Sequence, residues 1–564
     1  MTPQAPPSRR ALIALLVALA VLWFAGIDQR ALINPDEGRY AEIAREMVVT
    51  GDWLTPRLNG LKYFEKPPLQ YWVTAAAFSA FGIHEGTARL WPVLSTFLAV
   101  LFLGYVGLRL GGPRLGLYAA AALAGCAGFV INGHLLTLDG GLGALLTVAF
   151  GAFVLAQRDG ASPGECRRWM WLAWAAMAGA TLSKGLIGVV IPGATLVLYS
   201  LATRDLAVWR RLHLVSGLAI YLVLTAPWFV AVSRANDEFF EFFFINEHFR
   251  RYVTTEHRRV EPWWYFIPVF VAGMLPWLGV LGWGARRAWR DVPRAANGFA
   301  WRRFALVWAA FVFVFFSASG SKLPSYILPM FPALSLVVAA LLAGIEPATL
   351  VRITRPLVVA AVALLAGMLF AYEPLVRRFV PDGDTLAPAL AFGPWVKAAV
   401  AVATLGGIYT LVALRGPSPP VARRDAAVVA TSLSMLAAVQ IGVIGYDEFR
   451  TIRSSRDMLR AAAAANGPFD AGIPFYHVHM YDQTVPFYLG RPTTFVAYRD
   501  EFALGQDAEP GRAIPDEAAW AELWKSLPQG YAMMPVGDFD RFSAAGLPMR
   551  ALARDGRRVI VSRQ

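Results

Sequence analysis

Residues 88–108 read ARLWPVLSTFLAVLFLGYVGL, and this stretch decides the fold class of the chain. Arg89 is its one charged residue, and its length matches the roughly 20 residues that a helix needs to cross a hydrocarbon core. The chain as a whole is 57% hydrophobic and 16% charged, whereas soluble domains carry roughly 25% charged residues. Both observations indicate a protein that lies in a membrane.

Similar apolar blocks recur along the sequence, so we predict a polytopic α-helical membrane protein with about 13 transmembrane helices. The predicted spans are 11–27, 88–108, 115–131, 140–156, 169–183, 185–203, 214–233, 263–285, 304–320, 324–345, 356–372, 391–414 and 426–445. The first block follows Arg9 and Arg10, and no small-residue cleavage site comes after it. We therefore interpret it as a membrane anchor and not as a signal peptide.

The net charge of +13 follows the expected topology of such a protein. With the N-terminus inside, the basic residues fall in alternate short loops, as membrane proteins prefer on their cytoplasmic side. These residues are Arg109 and Arg114, Arg158, Arg167 and Arg168, Arg204, Arg210 and Arg211, six arginines between 286 and 303, Arg352 and Arg355, and Arg415, Arg423 and Arg424. Because no soluble face collects the charge, the sequence does not indicate a nucleic-acid partner.

The apolar stretch at 67–83 is similar to a span in composition. Counting it as a crossing would put the basic loops that follow on the side opposite Arg9 and Arg10. We therefore predict a helix that lies in the membrane interface, within the first outer loop.

Residues 446–564 are expected on the outer side, because 13 crossings separate them from the N-terminus. The segment mixes a strand-like run at 472–481 with a helical run at 517–526. This pattern predicts a small soluble α/β domain after a transmembrane domain of residues 1–445. Neither of the two cysteines lies in this segment, so no disulfide framework is expected there.

The first outer loop, 28–87, begins with an amphipathic helix. Asn34 is expected to cap it, with Pro35 as its first residue, Glu37 as the reciprocal capping partner and Gly51 just past its end. Asp36 in the first turn is a candidate catalytic carboxylate. The alternative is that the helix dipole alone favours an acidic residue at this position.

Lys66 precedes the predicted interfacial helix. A cation beside free backbone N–H groups forms an anion site, for which a phosphate is the natural ligand. The alternative is that Lys66 only reaches toward lipid headgroups. The chain has six lysines against 46 arginines, and four of the lysines fall in outer loops. They are Lys62, Lys66, Lys184 and Lys322. This distribution indicates a need for compact cations on one face.

The long outer loop 234–262 combines phenylalanines with cations, among them Arg251 and Arg258. Arginines at the headgroup level can hold phosphates bidentately. An aromatic belt with basic anchors explains the phenylalanines, but not four arginines beside two histidines. The loop at 319–326, SGSKLPSY, offers further donors from Lys322 and Tyr326 to the same anion site.

Asp139 opens a predicted span, and an ionisable group at that depth is a functional candidate. A buried capping carboxylate is the competing interpretation. His477 and His479 have the spacing of one strand face, but two histidines without a further ligand are weak evidence for a zinc site. The sequence has no Gly-rich phosphate loop, which disfavours a soluble nucleotide donor.

Three motifs carry a family resemblance: DEGRYAEIAREM at 36–47, GDWLTPRLNG at 51–60 and YFEKPPLQYW at 63–72. They resemble the bacterial aminoarabinose transferases. That family is grouped with the protein O-mannosyltransferases among the C-type glycosyltransferases, which use polyprenyl-phosphate sugars. The resemblance implies transfer of 4-amino-4-deoxy-L-arabinose from undecaprenyl phosphate to lipid A phosphates at the periplasmic face of the bacterial inner membrane. Resistance to polymyxin and other cationic peptides would follow.

The resemblance also implies roles for individual residues. Asp36 and Asp139 are expected as active-site carboxylates, and Lys66, Arg251 and Tyr326 as ligands of the polyprenyl phosphate. We further expect a catalytic role for Glu37, phosphate contacts from Lys62 and Lys322, acceptor contacts from Arg39, Arg57 and Arg258, and, if a divalent metal ion binds, ligation by Glu65 and His248. Apart from that possible metal ion, no cofactor is expected. The expected partners are the lipid-linked donor, lipid A and membrane lipids, and no protein partner can be inferred.

The chemistry leaves the roles of the two aspartates open. A departing lipid phosphate gains charge, which nearby cations would stabilise. An acceptor phosphate is already an anion at neutral pH, so it needs no base. One alternative function is a protein O-mannosyltransferase-like enzyme with another acceptor. A transporter of lipid-linked sugars is the second alternative, but transporters usually bring charges to the midplane, and this chain collects them at one face.

Overall fold

The computed structural model describes residues 9–250, 261–291, 297–381, 383–416 and 418–563. The part of the chain before residue 446 is mainly helical, and its helices are given in chain order. They are α1 (Arg9–Phe24), α2 (Asp36–Thr50), α3 (Leu69–Phe81), α4 (Glu85–Gly111), α5 (Pro113–Ala124), α6 (Ala127–Gly133), α7 (Leu138–Gln157), α8 (Pro163–Lys184), α9 (Ile187–Thr203), α10 (Leu214–Ala235), α11 (Phe266–Gly273), α12 (Leu278–Arg290), α13 (Trp301–Ala318), α14 (Met330–Gly344), α15 (Pro347–Phe379), α16 (Leu386–Ala413) and α17 (Val421–Gly445). A π-helical segment, Glu241–Arg250, follows α10.

Every predicted span is helical over most of its length. Among the described residues, seven helices are long and apolar enough to cross a membrane, or up to nine if two bent pairs each count as one. The bent pairs are α5 with α6, at 63°, and α11 with α12, at 102°. The helical membrane fold is thus confirmed, and the exact number of crossings stays a prediction. At 13 residues, α3 is too short to span a bilayer, in agreement with the interfacial helix expected there.

The start of α2 differs from the prediction by one residue. The capping position is held by Pro35, which makes no side-chain capping bond, and the helix begins at Asp36. Glu37 Oε2 accepts the N–H of Ile33 (3.1 Å), so it reaches back one residue further than the expected capping box. The predicted end is confirmed, because Gly51 adopts the left-handed conformation (φ 73°) and donates to Met47 O.

The core of the bundle lies around α7, whose most apolar stretch is 89% buried. Aromatic rings of α13 pack against aromatic rings of α7 near one end. Phe153 stacks on Phe304 with ring centroids 4.6 Å apart, and Phe150 meets Trp308 edge-on at 5.4 Å. Burial of rings of this size supplies much of the packing energy between spans.

After α17 the chain forms a compact part that we call the sheet unit, residues 456–562. Its elements are α18 (Arg456–Asn466), β3 (Phe475–Val478), α19 (Val485–Leu489), β4 (Thr494–Val496), α20 (Ala503–Ala508), β5 (Ala513–Ile514), α21 (Glu517–Ser526), β6 (Tyr531–Pro535), α22 (Val536–Ala544), β7 (Arg550–Arg554) and β8 (Arg558–Ser562). The sheet has the order β5-β4-β3-β6-β8-β7, with β5 to β6 parallel and β6, β8 and β7 antiparallel. The predicted domain boundary at 445/446 stays a prediction.

The sheet unit packs on the first loop. That loop also forms a two-stranded ribbon, β1 (Arg57–Leu58) and β2 (Leu61–Lys62). One buried cluster joins Tyr40 and Met47 of α2 to Tyr481, Phe495 and Phe502 of the sheet unit. The helix that carries the candidate carboxylate Asp36 is therefore held from its far side by residues distant in sequence.

Candidate active site

Asp36 lies in the first turn of α2, at the edge of a cavity of about 500 Å³. The cavity is bounded on the other side by Phe392 of α16, Val443 of α17 and Tyr446. The Asp36 side chain is 36% exposed, and its Oδ1 accepts a hydrogen bond from Arg39 Nη1 at 2.9 Å. This carboxylate thus faces an open, largely apolar space between the first loop and the membrane helices.

Glu37, the next residue, has a different environment. Arg89 binds both of its oxygens, with Nε 2.9 Å from Oε1 and Nη2 2.6 Å from Oε2. The N–H of Leu136 also donates to Oε1 at 3.0 Å. Burial alone would raise the pKa of Glu37, but the guanidinium groups of Arg89 and Arg30 outweigh it and lower the pKa to about 2. Glu37 is thus held on both oxygens by Arg89 and Leu136, and its catalytic role stays a prediction.

Asp139 and Tyr326 come together around a lysine. Lys184 Nζ contacts Asp139 Oδ1, and the same Nζ lies 4.6 Å from the centroid of the Tyr326 ring. Ser325 Oγ donates to Asp139 Oδ2 at 2.7 Å. Asp139 is buried. Lys184 compensates its charge, and Ser325 binds its second oxygen. The sequence predicts Lys184 in an outer loop, and the structure places it between Asp139 and the Tyr326 ring.

The other candidate lysines make contacts within the protein. Lys66 Nζ donates to Glu65 O at 2.7 Å. Lys62 Nζ pairs with Glu238 Oε1 at 2.7 Å and so joins the first loop to the segment that follows α10. Lys322 is buried and donates to Ser319 O at 2.7 Å. Two of these lysines, Lys62 and Lys322, are therefore engaged in holding loops together.

The candidate acceptor arginines of the first loop bind carboxylates of the sheet unit. Arg57 Nη1 lies 2.9 Å from Glu509 Oε1, and Arg39 Nη2 lies 2.8 Å from Glu501 Oε2. Both contacts tie the first loop to the sheet unit, so they support a structural task for these side chains. An acceptor role for them stays a prediction.

Several candidates lie beyond what the structure describes. Arg251 and Arg258 fall outside the described residues, as does the side chain of His248. The predicted metal pair of Glu65 with His248 therefore stays a prediction. Within the described part of the chain, no group of three or more His, Cys, Asp or Glu residues has the arrangement to hold a metal ion. His477 and His479 have separate partners, Thr493 and Asp538 respectively.

Three residues near Asp36 were not identified from the sequence: Arg30, Arg89 and Glu501. Arg89 could have been identified, because it is the one charged residue in the apolar block 88–108. An ionisable residue inside such a block is a functional candidate. Arg30 and Glu501 stand in ordinary polar stretches, and no local pattern distinguishes them.

Two family models match the chain. One, described as the dolichyl-phosphate-mannose-protein mannosyltransferase family, covers residues 8–240. The other, the aminoarabinose transferase C-terminal domain, covers residues 461–563. The two matches thus span the first part of the membrane bundle and nearly the whole sheet unit.

Curated proteins of the same family are similar in sequence to this chain. The chain is 33% identical over 332 residues to an undecaprenyl phosphate-α-4-amino-4-deoxy-L-arabinose arabinosyl transferase of Erwinia tasmaniensis, over 58% of either protein. It is 30% identical over 402 residues to the transferase of that name from Yersinia enterocolitica, over 71% of this chain and 70% of the relative. The alignment with the first relative therefore spans little more than half of its length.

Solved structures extend the similarity to the whole chain. The structure of ArnT from Cupriavidus metallidurans bound to undecaprenyl phosphate is 35% identical, covers 99% of both chains and has a TM-score of 0.90. Its apo form gives a TM-score of 0.89 over 98% of both chains. The C-terminal family model, the alignment with the relative from Yersinia enterocolitica and this structural similarity together show that the chain belongs to the aminoarabinose transferase family of polytopic membrane proteins.

Proposed function

We propose that this protein is a glycosyltransferase that moves 4-amino-4-deoxy-L-arabinose from undecaprenyl phosphate to a phosphate group of lipid A. The observation that carries the proposal is the position of Asp36, a partly exposed carboxylate at the edge of a cavity of about 500 Å³ between the first loop and α16 and α17. The cavity is mostly apolar, which suits amphiphilic substrates, and its lining residues come from the first loop and from membrane helices. The family relationship supports the choice of donor and sugar.

The donor reacts by loss of its lipid phosphate, which gains negative charge as the sugar departs. Lys66, Tyr326 and Arg251 are the proposed ligands of that phosphate. Fixed donors in a water-poor site stabilise such developing charge strongly, since the removal of one typically slows a reaction by about 10²- to 10³-fold. Lys184 belongs to this group, because its Nζ lies against the Tyr326 ring and compensates Asp139.

The acceptor is a phosphate monoester, whose second pKa is about 6, so it arrives as an anion and requires no general base. Asp36 is therefore proposed to stabilise the positive charge that develops on the sugar ring during transfer. Its 36% exposed side chain leaves room for the substrate beside the Arg39 contact.

We place the reaction at the periplasmic face of the bacterial inner membrane. The distribution of arginines in alternate loops supports a cytoplasmic N-terminus. The first loop and the sheet unit then lie on the periplasmic side, together with Asp36. Addition of the amino sugar lowers the negative charge of lipopolysaccharide, and resistance to polymyxin is the proposed consequence.

Mass spectrometry of lipid A tests the proposal. Cells that lack their own transferase but make the donor should regain the aminoarabinose mass increment when they express this chain. Asp36→Asn should abolish the increment, whereas Asp540→Asn, an exposed aspartate of the sheet unit, should keep it. Absence of the increment in cells with well-expressed parent chain overturns the substrate assignment.

A second candidate is a protein O-mannosyltransferase-like activity, which the family match over residues 8–240 favours. It differs in acceptor and sugar. Purified protein would then glycosylate a Ser/Thr peptide from a polyprenyl-phosphate mannose donor and leave lipid A unmodified.

A further inference from the structure

Asp36 is connected to the sheet unit through one arginine. Arg39 Nη1 lies 2.9 Å from Asp36 Oδ1, and Arg39 Nη2 lies 2.8 Å from Glu501 Oε2. The Arg39 side chain is 10% exposed and that of Glu501 is 11% exposed, whereas that of Asp36 is 36% exposed. A buried guanidinium thus joins a buried carboxylate to the exposed carboxylate of the candidate site.

Glu501 is itself held on both of its oxygens. Tyr63 donates its hydroxyl to Oε2 at 3.0 Å, and Gln483 Nε2 donates to Oε1 at 2.6 Å. With Arg39 as the third donor, the carboxylate has little freedom to rotate. Gln483 and Glu501 belong to the sheet unit and Tyr63 to the first loop, so the arrangement exists only when the two parts are in contact.

The Asp36 to Arg39 contact on its own is a pair three residues apart in the first turn of a helix. Such partly exposed pairs hold their side chains loosely, because solvent and alternative rotamers compete with them. The second carboxylate changes this, since it fixes the planar guanidinium in one orientation. The direction in which Arg39 presents its Nη1 to Asp36 is therefore determined by Glu501.

The electrostatic surroundings of Glu501 agree with this. Burial raises the pKa of its carboxyl group, Arg39 opposes that effect, and the nearby Glu65 carboxylate adds to it. Arg39 is thus the cation that the two carboxylates, Glu501 and Asp36, share.

We propose that Glu501 is a positioning residue, which acts through Arg39 to hold the Asp36 carboxylate in its reactive orientation at the cavity. The sheet unit thereby contributes to the geometry of the reaction, although its residues lie far from Asp36 in the sequence. This inference rests on the proposed function, in which Asp36 acts on the sugar.

Steady-state kinetics of the purified full chain, with lipid-linked aminoarabinose and lipid A, test the role of Glu501. Glu501→Gln should lower kcat by about 10- to 100-fold, the effect expected of a misplaced reactive group, and change KM for the donor by less than about twofold. Glu501→Asp keeps the charge and should recover part of kcat. Asp507→Asn removes an exposed carboxylate of the same segment and should behave as the parent chain.

A double-mutant cycle separates positioning from a general loss of structure. If Glu501 acts through Arg39, the double variant Arg39→Gln with Glu501→Gln should be no slower than Arg39→Gln alone. Losses in kcat that multiply in full would overturn the inference, as would a Glu501→Gln variant with parental kcat. Should that variant fail to fold, Gln483→Met, which removes one hydrogen bond to Glu501, should give an intermediate loss of kcat, and parental kcat in it counts against the inference.

The parent chain distinguishes the two proposals. A parent that transfers no aminoarabinose to lipid A overturns the proposed function, and the role of Glu501 with it. A parent that does transfer the sugar, together with an unaffected Glu501→Gln variant, overturns the role of Glu501 alone.

Discussion

Arg89 Nη2 lies 2.6 Å from Glu37 Oε2, and both side chains are almost completely buried. This pair joins α4 to the first turn of α2, directly beside Asp36. Glu37→Ala would leave the Arg89 and Arg30 guanidinium groups buried without their carboxylate. We expect a loss of about 3–5 kcal/mol in the free energy of unfolding, as for other broken buried ion pairs.

Thermal unfolding in detergent, followed by tryptophan fluorescence, measures this effect as a lower midpoint. The matched control is Glu373→Ala, which breaks an exposed pair with Arg377 (2.8 Å) in α15. Such surface pairs contribute about 0–1 kcal/mol, so its midpoint should stay close to that of the parent chain. Equal midpoints for the two variants would contradict the structural role of Glu37.

Gly38 provides a second prediction, because α2 approaches the backbone of the sheet unit there. A Cβ at this position would lie 2.7 Å from the carbonyl carbon and oxygen of Gln483 and 2.8 Å from Thr484 Cγ2. Gly38→Ala must therefore push α2 away from the sheet unit, at a cost of about 1–3 kcal/mol, as for other overpacked sites. Transfer activity should fall as well, since Asp36 lies two residues away.

The control for Gly38 is Gly164 in the first turn of α8, where a Cβ would meet no atom of another element within 4 Å. Gly164→Ala should leave stability unchanged or raise it by up to about 1 kcal/mol, because alanine loses less backbone entropy in a helix. Both variants can be compared by their unfolding midpoints and by lipid A mass spectrometry. A Gly38→Ala variant as stable and active as Gly164→Ala would show that the contact is easily relieved.

The sequence was sufficient for features that depend on short stretches of chain. Spans, the extent of α2 and its Gly51 terminus follow from hydropathy and capping rules that act within about 20 residues. The predicted start of α2 was wrong by one residue, because Pro35 holds the capping position and Glu37 accepts the N–H of Ile33.

The arrangement of the site could be predicted only in part. The position of Asp139 in a span predicts a functional carboxylate, but its partner Lys184 is 45 residues away and on another helix. Tyr63 meets Glu501 across 438 residues. Such pairings depend on how helices and the sheet unit pack against each other, which no periodicity in a single sequence encodes.

Tyr326 allows its hydroxyl and its ring to be tested separately. The ring lies 4.6 Å from Lys184 Nζ, and the hydroxyl is the proposed phosphate donor. Tyr326→Phe keeps the ring and removes the donor, so kcat/KM for the lipid-linked sugar should fall by about 10²-fold while the unfolding midpoint changes little. Tyr326→Leu removes both, and its midpoint should fall too, since a partly buried cation–π contact contributes about 1–2 kcal/mol. Full activity in the Phe variant would remove the hydroxyl from the phosphate site.

The buried environment of His477 leads to a prediction of how the stability of the sheet unit depends on pH. The residue is fully buried in β3, with its Nδ1 2.8 Å from Thr493 Oγ1. Burial lowers the pKa of His477 to about 4, with Asp482 opposing the shift and Arg558 adding to it. In the unfolded chain the pKa of a histidine is about 6.5.

The neutral imidazole is therefore favoured in the folded state, and its contribution to stability is fully present above pH 6.5. Below that value the unfolded chain binds a proton that the folded chain does not, so stability falls by up to about 1.4 kcal/mol per pH unit until pH 4. We expect the unfolding midpoint of the parent chain to drop more steeply between pH 6.5 and 4 than that of His477→Asn, which does not titrate. Between pH 7 and 8 the two curves should run parallel, whatever their offset. Parallel curves over the whole range would mean that His477 is protonated as easily in the folded protein as in the unfolded chain.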